Sequence, residues 1–172
     1  HLEITRSVAN KFNHQNGDTF IVPESRVDKN TMLIAGTDGN KMSKSKKNII
    51  DIFLEEKLLK KQISNIKTDS LPLEASKDWK NCNLFKMYKL LADEEETEMM
   101  KKNYTKGGYG YGHAKTDLLN LILTKYSSER EKYTFYMSNL DKIDSILNAG
   151  ALQASKTADE VLNRVRIKVG FN

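Results

Sequence analysis

From Asn48 onward the apolar positions recur at intervals of three and four residues, the spacing that gathers side chains on one face of an α-helix. Glu55 to Ile66 reads as a basic amphipathic helix, and Asn83 to Ala92 aligns Leu84, Met87, Tyr88 and Leu91. Asp93 is placed to cap the next helix, and the glutamates behind it suit the positive end of its dipole. That helix is expected to end near Lys106, before Gly107-Gly108. A long helix follows Gly112, with Leu118, Leu119, Leu121, Ile122, Leu123 and Tyr126 forming a broad apolar surface, and is expected to continue to Met137. Leu140 to Leu147 predicts a further helix closed by Gly150, and Leu152 to Val169 a last one. No heptad register or fixed-period repeat is present.

The first part of the chain is patterned differently. Leu2, Val8, Ala9 and Phe12 fit one helical face, with Asn16-Gly17 as the stop. No cap precedes this helix, so the sequence is expected to begin inside a helix of a larger protein. Thr19-Phe20-Ile21-Val22 and Met32-Leu33-Ile34-Ala35 are short β-prone runs separated by Pro23 and a polar stretch. The second reads as a buried strand that runs into Gly36-Thr37-Asp38-Gly39-Asn40, where two glycines permit conformations that a Cβ would obstruct. A strand, a turn-rich loop and then lysines is an order suited to holding a ligand.

Composition narrows the class. A chain of 172 residues, 38% hydrophobic and 30% charged, suffices for one or two soluble domains with a core. There is no apolar run of the roughly 20 residues that cross a bilayer and no signal peptide at His1-Leu2-Glu3-Ile4, so a cytoplasmic location is expected. The single cysteine, Cys82, excludes an intrachain disulfide and suits a reducing compartment. His1, His14 and His113 are scattered without ligand spacing, and the acids from Asp93 to Glu98 suit an exposed helix start, so no protein-bound metal is expected. The net charge of +5 is unevenly spread: Lys41, Lys44, Lys46 and Lys47 crowd one stretch, and Lys57, Lys60, Lys61 and Lys67 follow. Phosphate binding is therefore expected to be local.

The chemistry concentrates in Lys41-Met42-Ser43-Lys44-Ser45. Two ammonium groups three positions apart on a loop reach different oxygens of one polyphosphate, while Ser43, Ser45 and backbone N–H groups donate hydrogen bonds. Such donors accelerate adenylyl transfer if they meet the leaving pyrophosphate best in the transition state. Lysine-serine runs also serve as solvated loops, localisation signals or phosphorylation sites, and composition alone leaves both readings open.

The pentapeptide is identical to the second signature of the class I aminoacyl-tRNA synthetases, and Gly36 to Asn40 resembles the lead-in of the tryptophanyl and tyrosyl members. The rest of the chain resembles the tryptophanyl family. The matching segments are Leu2-Glu3-Ile4-Thr5-Arg6, Phe12-Asn13, Pro23-Glu24, Lys67-Thr68-Asp69-Ser70, Asn81-Cys82-Asn83-Leu84-Phe85, Gly107 to Lys115, Arg130-Glu131-Lys132-Tyr133 and Ile146 to Ala151, in that order. The tyrosyl alternative fits poorly after Ser45.

This resemblance implies an α/β plus α fold: a truncated Rossmann-like class I synthetase catalytic domain (residues 1–55), a helical domain that binds the tRNA anticodon region (56–139), and terminal helices (140–172), the last packing back on the catalytic domain. It implies a tryptophan–tRNA ligase that activates L-tryptophan with ATP to tryptophanyl-adenylate and transfers it to tRNA(Trp). Mg2+ is expected to travel with ATP. By this analogy Lys41 and Lys44 are catalytic and contact phosphate, with Lys44 first for transition-state stabilisation. Ser43 and Ser45 hold loop and ligand, Met42 anchors the loop by packing, and the backbone of Met32 or Leu33 lies beside adenine. Lys57, Lys60, Lys61, Lys102, Lys106 and Lys115 are candidate tRNA contacts. Tyr109 and Tyr111 either stack on bases or, the stronger reading, pack the glycine turn, and Trp79 is expected to be a packing anchor. The remaining site, including most of the tryptophan pocket, is expected to precede His1. This piece is then inactive alone, and the intact protein is a homodimer with no membrane association. Two other readings stand beside it: a noncatalytic tRNA-binding module whose loop is a relic, and a helical interaction domain with an accidental signature.

Overall fold

The computed structural model describes residues 1–26 and 33–171. The described residues form α1 (Leu2–Asn16), α2 (Glu56–Ser64), α3 (Asn83–Leu91), α4 (Glu94–Lys106), α5 (Tyr111–Lys125), α6 (Ser127–Met137) and α7 (Leu140–Lys168). The fold is mainly helical. It divides into two compact units, His1–Val27 with Tyr136–Asn172, and Asp28–Phe135. No helix is long and apolar enough to cross a membrane among the described residues.

The larger unit is built around α5. Its face of Ala114, Leu118, Leu119 and Ile122 is buried against α2, through Leu59 and Ile63, and against α3, through Leu84, Met87 and Tyr88. Each buried aliphatic side chain contributes roughly 1.5–3 kcal/mol relative to exposure, which fixes the three helices together. Helix α4 adds Met100 and Tyr104. The Tyr104 ring, with no exposed surface, meets Phe85 at 5.6 Å, Tyr109 at 5.9 Å and Tyr111 at 6.1 Å, and its hydroxyl lies 3.6 Å from the Cys82 sulfur. Burial pushes the Tyr104 and Tyr109 phenols far above the ordinary tyrosine range, and the Asp117 carboxylate, which accepts from the Tyr109 hydroxyl, adds to the second shift. The glycine-flanked tyrosines thus pack the turn. Trp79 likewise packs, at 5.5 Å from Phe85.

Asp93 caps α4 as expected and more fully. Its carboxylate accepts from the Glu96 N–H at 2.8 Å while the Glu96 carboxylate accepts from the Asp93 N–H at 3.0 Å, a reciprocal capping box. Asp93→Ala is expected to cost about 1 kcal/mol, read as a lower urea midpoint with an unchanged slope.

Lys77 is 3% exposed, although its neighbours in sequence suggest a basic surface. Its ammonium donates to the carbonyls of Pro72 and Leu73 (3.3 Å each) and Ala75 (3.0 Å), and lies 5.5 Å from the Tyr111 ring centre. The lysine therefore ties the irregular segment after α2 to the core, and its own buried ammonium is satisfied by those carbonyls. The basic groups over Trp79 are instead Lys101 and Lys80, at 4.9 and 5.6 Å.

Three expectations change. First, neither β-prone run forms a strand among the described residues, and Met32 lies outside them. A strand requires a neighbouring backbone, and Thr19-Phe20 finds a side chain instead: Asn13 accepts from both N–H groups (3.1 and 2.9 Å) and donates to the Phe20 carbonyl (2.8 Å). Around residue 35 the pairing is one antiparallel bridge, Ala35 to Lys41. Second, the helix expected to run to Met137 bends at Tyr126 (φ −107°, ψ 19°), dividing α5 from α6. The Tyr126 side chain packs against the core there, and Arg130, one turn later, is drawn onto the carbonyls of Ile52 and Leu54. Third, Gly150 does not stop a helix, because α7 runs through it for 29 residues. A glycine costs a helix only about 1 kcal/mol, and its neighbours Ala149 and Ala151 are the best helix formers.

Candidate phosphate-handling loop

Residues 34 to 42 fold back on themselves as a tight hairpin. The Met42 N–H donates to the Ile34 carbonyl at 2.9 Å and the Gly36 N–H to the Asn40 carbonyl at 2.6 Å, so the lysine signature leaves directly from a pinned stem. Gly39 at the tip has φ +84°, a conformation a side chain would resist. Asp38 closes the tip: its carboxylate accepts from the Asn40 N–H and the Asn40 amide, both at 3.0 Å. The side-chain amides of Asn40 and then Asn48 hold the Asp38 carboxyl down at about 2. A depressed carboxyl stabilises the fold above its ordinary range and loses that contribution as pH falls towards 2. The clip therefore keeps its charge at neutral pH.

Asn48, three residues beyond the signature, is 3% exposed. Its amide donates to the Asp38 carboxylate (2.7 Å) and the Lys41 carbonyl (3.1 Å), and its side-chain oxygen accepts from the Ser43 N–H (2.8 Å). Its own carbonyl accepts from the Thr37 N–H at 2.8 Å. A Cβ built on Gly36 would lie 2.4 Å from the Asn48 Cγ, so Gly36 is required by this close approach. Sequence reasoning assigned the glycine to loop freedom and passed over the asparagine. The one signal available was an uncharged amide ending a run of lysines before Ile49-Ile50.

The hairpin is anchored to the helical core on several sides. The Asn83 amide at the start of α3 donates to the Gly36 carbonyl (2.8 Å), and the Lys67 N–H after α2 donates to the Thr37 carbonyl (2.8 Å). Met42 packs against the core together with Ile50, Ile52 and Leu54. Beneath Met42 lies an apolar cavity of about 290 Å³, lined also by Ile34, Leu90, Leu118 and Ile122. Beyond the loop, Arg130 of α6 donates to the carbonyls of Ile52 and Leu54 (2.8 Å to the latter), and Tyr133 stacks on Phe53 at 4.8 Å.

Within this frame Lys41 and Lys44 are both exposed, and no carboxylate among the described residues forms an ion pair with either. Ser43 and Ser45 share a hydrogen bond at 2.8 Å between their hydroxyls. The arrangement is a hydrogen-bonded backbone carrying two ammonium groups, with no carboxylate partner among the described residues, and two hydroxyls, suited to a polyanion. Leu33 is exposed, two residues before the bridge at Ala35. The lysines expected to meet tRNA are distributed over three helices: Lys57, Lys60 and Lys61 exposed on α2, and Lys102 and Lys106 exposed on α4. Lys115 on α5 donates to the Ser64 carbonyl at 2.7 Å, satisfying the C-terminal end of α2, and burial lowers its pKa. No group of three or more His, Cys, Asp or Glu residues suited to a metal occurs among the described residues.

The helical unit that presents this signature on a pinned hairpin is that of a class I synthetase: the chain belongs to the family of tRNA synthetases class I (W and Y), whose pattern matches residues 1–126. It is 45% identical over 171 residues to the "Tryptophan--tRNA ligase" of Campylobacter jejuni strain RM1221, an alignment covering 99% of this chain and 54% of that protein. The corresponding protein of Fusobacterium nucleatum is 41% identical, with 99% and 53% covered. The crystal structure of tryptophanyl-tRNA synthetase from Campylobacter jejuni complexed with ADP and tryptophan superposes with a TM-score of 0.86 at 45% identity, covering 99% of this chain and 53% of that one. The chain spans about half the length of the curated relatives it matches.

Proposed function

We propose that this chain is the C-terminal part of a tryptophan–tRNA ligase, which activates L-tryptophan with ATP to tryptophanyl-adenylate and transfers the aminoacyl group to tRNA(Trp). The observation that carries the reading is the loop itself. Two exposed lysines, without a carboxylate partner among the described residues, stand on a backbone held by a buried asparagine, within a chain 45% identical to a protein named for this activity.

In the reaction the tryptophan carboxylate attacks the α-phosphate, the α–β phosphoanhydride breaks and pyrophosphate leaves with the negative charge. Lys41 and Lys44 meet that charge, with Lys44 acting most strongly in the transition state, and Ser43 and Ser45 hold loop and phosphate. Mg2+ enters with ATP as part of the substrate. Leu33, and Met32 outside the described residues, would place backbone beside adenine.

Residues 1–55 are assigned to a Rossmann-like catalytic domain, 56–139 to a helical domain at the tRNA anticodon region, and 140–172 to terminal helices that pack back on the catalytic domain. Lys57, Lys60, Lys61, Lys102, Lys106 and Lys115 are the proposed phosphate contacts for tRNA, and the Lys115 ammonium already has the Ser64 carbonyl as a partner. The full-length protein is proposed to act as a cytoplasmic homodimer, and the 172-residue piece alone to be inactive. The test is aminoacylation by the full-length protein. Charging of tRNA(Trp) with tryptophan is expected, and charging of tRNA with tyrosine, or none, would overturn the assignment.

A further inference from the structure

We infer that Asn48 is the positioning residue of the lysine loop, its buried carboxamide setting the backbone of Lys41 and Ser43 before any phosphate arrives. The inference rests on the phosphate-handling reading of the loop given above.

The Asn48 side chain has two amide hydrogens and one carbonyl oxygen, and all are engaged within the protein, by Asp38, the Lys41 carbonyl and the Ser43 N–H. The Asp38 carboxylate is engaged in turn, at one oxygen by Asn48 and the Asn40 N–H and at the other by the Asn40 amide. This pair acts on the loop backbone, not on a ligand. The two exposed lysines have no carboxylate partner among the described residues, so the origin of each side chain is set by the backbone beneath it. Asn48 holds that backbone at both Lys41 and Ser43, one residue short of Lys44.

The packing also restricts the position to asparagine. An ideal Gly36 Cβ would fall 2.4 Å from the Asn48 amide nitrogen and 2.5 Å from the Asn48 carbonyl oxygen, so the contact already has no spare volume. Glutamine adds a methylene where none fits, and alanine leaves the Ser43 N–H and Lys41 carbonyl without their partner. Aspartate keeps an acceptor for Ser43 but faces a second carboxylate across a 2.7 Å contact. Reacting groups displaced by about 1 Å lose on the order of 100-fold in rate, which is the scale a slackened loop should show.

The experiment has two arms. In the full-length protein, Asn48→Ala is expected to lower kcat for tryptophan-dependent pyrophosphate exchange roughly 30- to 100-fold, with the KM for tryptophan within about threefold of wild type. Asn48→Asp should fall at least as far, because the new carboxylate faces both the Asp38 carboxylate and the Lys41 carbonyl. A residue needed only for folding would lower the melting temperature without this kcat-against-KM split. In the second arm, hydrogen exchange at the Ser43 amide of the 172-residue chain should accelerate in Asn48→Ala. An unchanged Ser43 amide overturns the inference, as does an unchanged kcat. A wild-type protein with no tryptophan-dependent exchange overturns the functional reading instead, and the Ser43 amide then decides the positioning by itself.

Discussion

Lys44→Ala in the full-length protein is expected to slow tryptophan-dependent pyrophosphate exchange by roughly 100- to 1,000-fold while tryptophan binding stays within about threefold. Charge develops on the departing pyrophosphate, not on the amino acid, so a cation that meets it best in the transition state lowers kcat and kcat/KM together. Lys44 is exposed and has no carboxylate partner among the described residues, so its ammonium is not diverted into a surface ion pair. It sits on a backbone fixed one residue earlier by the Ser43 to Asn48 hydrogen bond. Lys41→Ala should show the same pattern, and Met42→Ala a smaller loss arising from packing. Pyrophosphate exchange at several ATP concentrations, with tryptophan affinity from equilibrium titration, is the measurement. Equal exchange rates in Lys44→Ala and wild type would remove the role proposed for this lysine.

Gly107→Ala is expected to lower the stability of the larger unit by about 3 kcal/mol or more. Two costs combine. Gly107 ends α4 at φ 81° and ψ 171°, a region essentially reserved for glycine, where another residue is strained by about 1–3 kcal/mol. A Cβ there would also lie 2.2 Å from the Glu74 carbonyl oxygen, which is backbone and cannot swing aside. The segment it would push away carries the carbonyls that hold Lys77, and the Gly108 N–H donates to the Leu73 carbonyl in the same stretch. Gly150→Ala makes the control: it lies within α7 with nothing within 4 Å of the added methyl, and should stabilise by about 0.5–1 kcal/mol. Urea unfolding of the 172-residue chain followed by circular dichroism compares the two. A Gly107→Ala midpoint matching wild type would show that the turn relaxes freely.

Helices α2 to α5 were legible because each buries one face, and burial leaves a three-to-four-residue imprint on a sequence. The cap at Asp93 was legible because a capping box is local: its two hydrogen bonds span three residues. The bend at Tyr126 was not, since periodicity and hydrogen bonding both continue across it, the Tyr126 N–H still reaching the Ile122 carbonyl at 3.1 Å. What turns α6 is Arg130 meeting the carbonyls of Ile52 and Leu54, 78 and 76 positions away. The burial of Lys77 was not legible for a related reason. A lysine among polar neighbours reads as solvated, and only the folding of residues 72–75 around it supplies the carbonyls that make burial tolerable.

The amino-acid sequence by itself determined helices α2 to α5, the family and the identity of the lysine loop, because helix periodicity and a contiguous pentapeptide are written in adjacent residues. Tertiary structure alone decided what holds that loop. The Asn48 amide must reach an oxygen of Asp38, 10 positions earlier, and it can do so only because Gly36 leaves the space. Such a buried hub is satisfied by atoms brought together in folding, and its partners carry no common spacing in the chain.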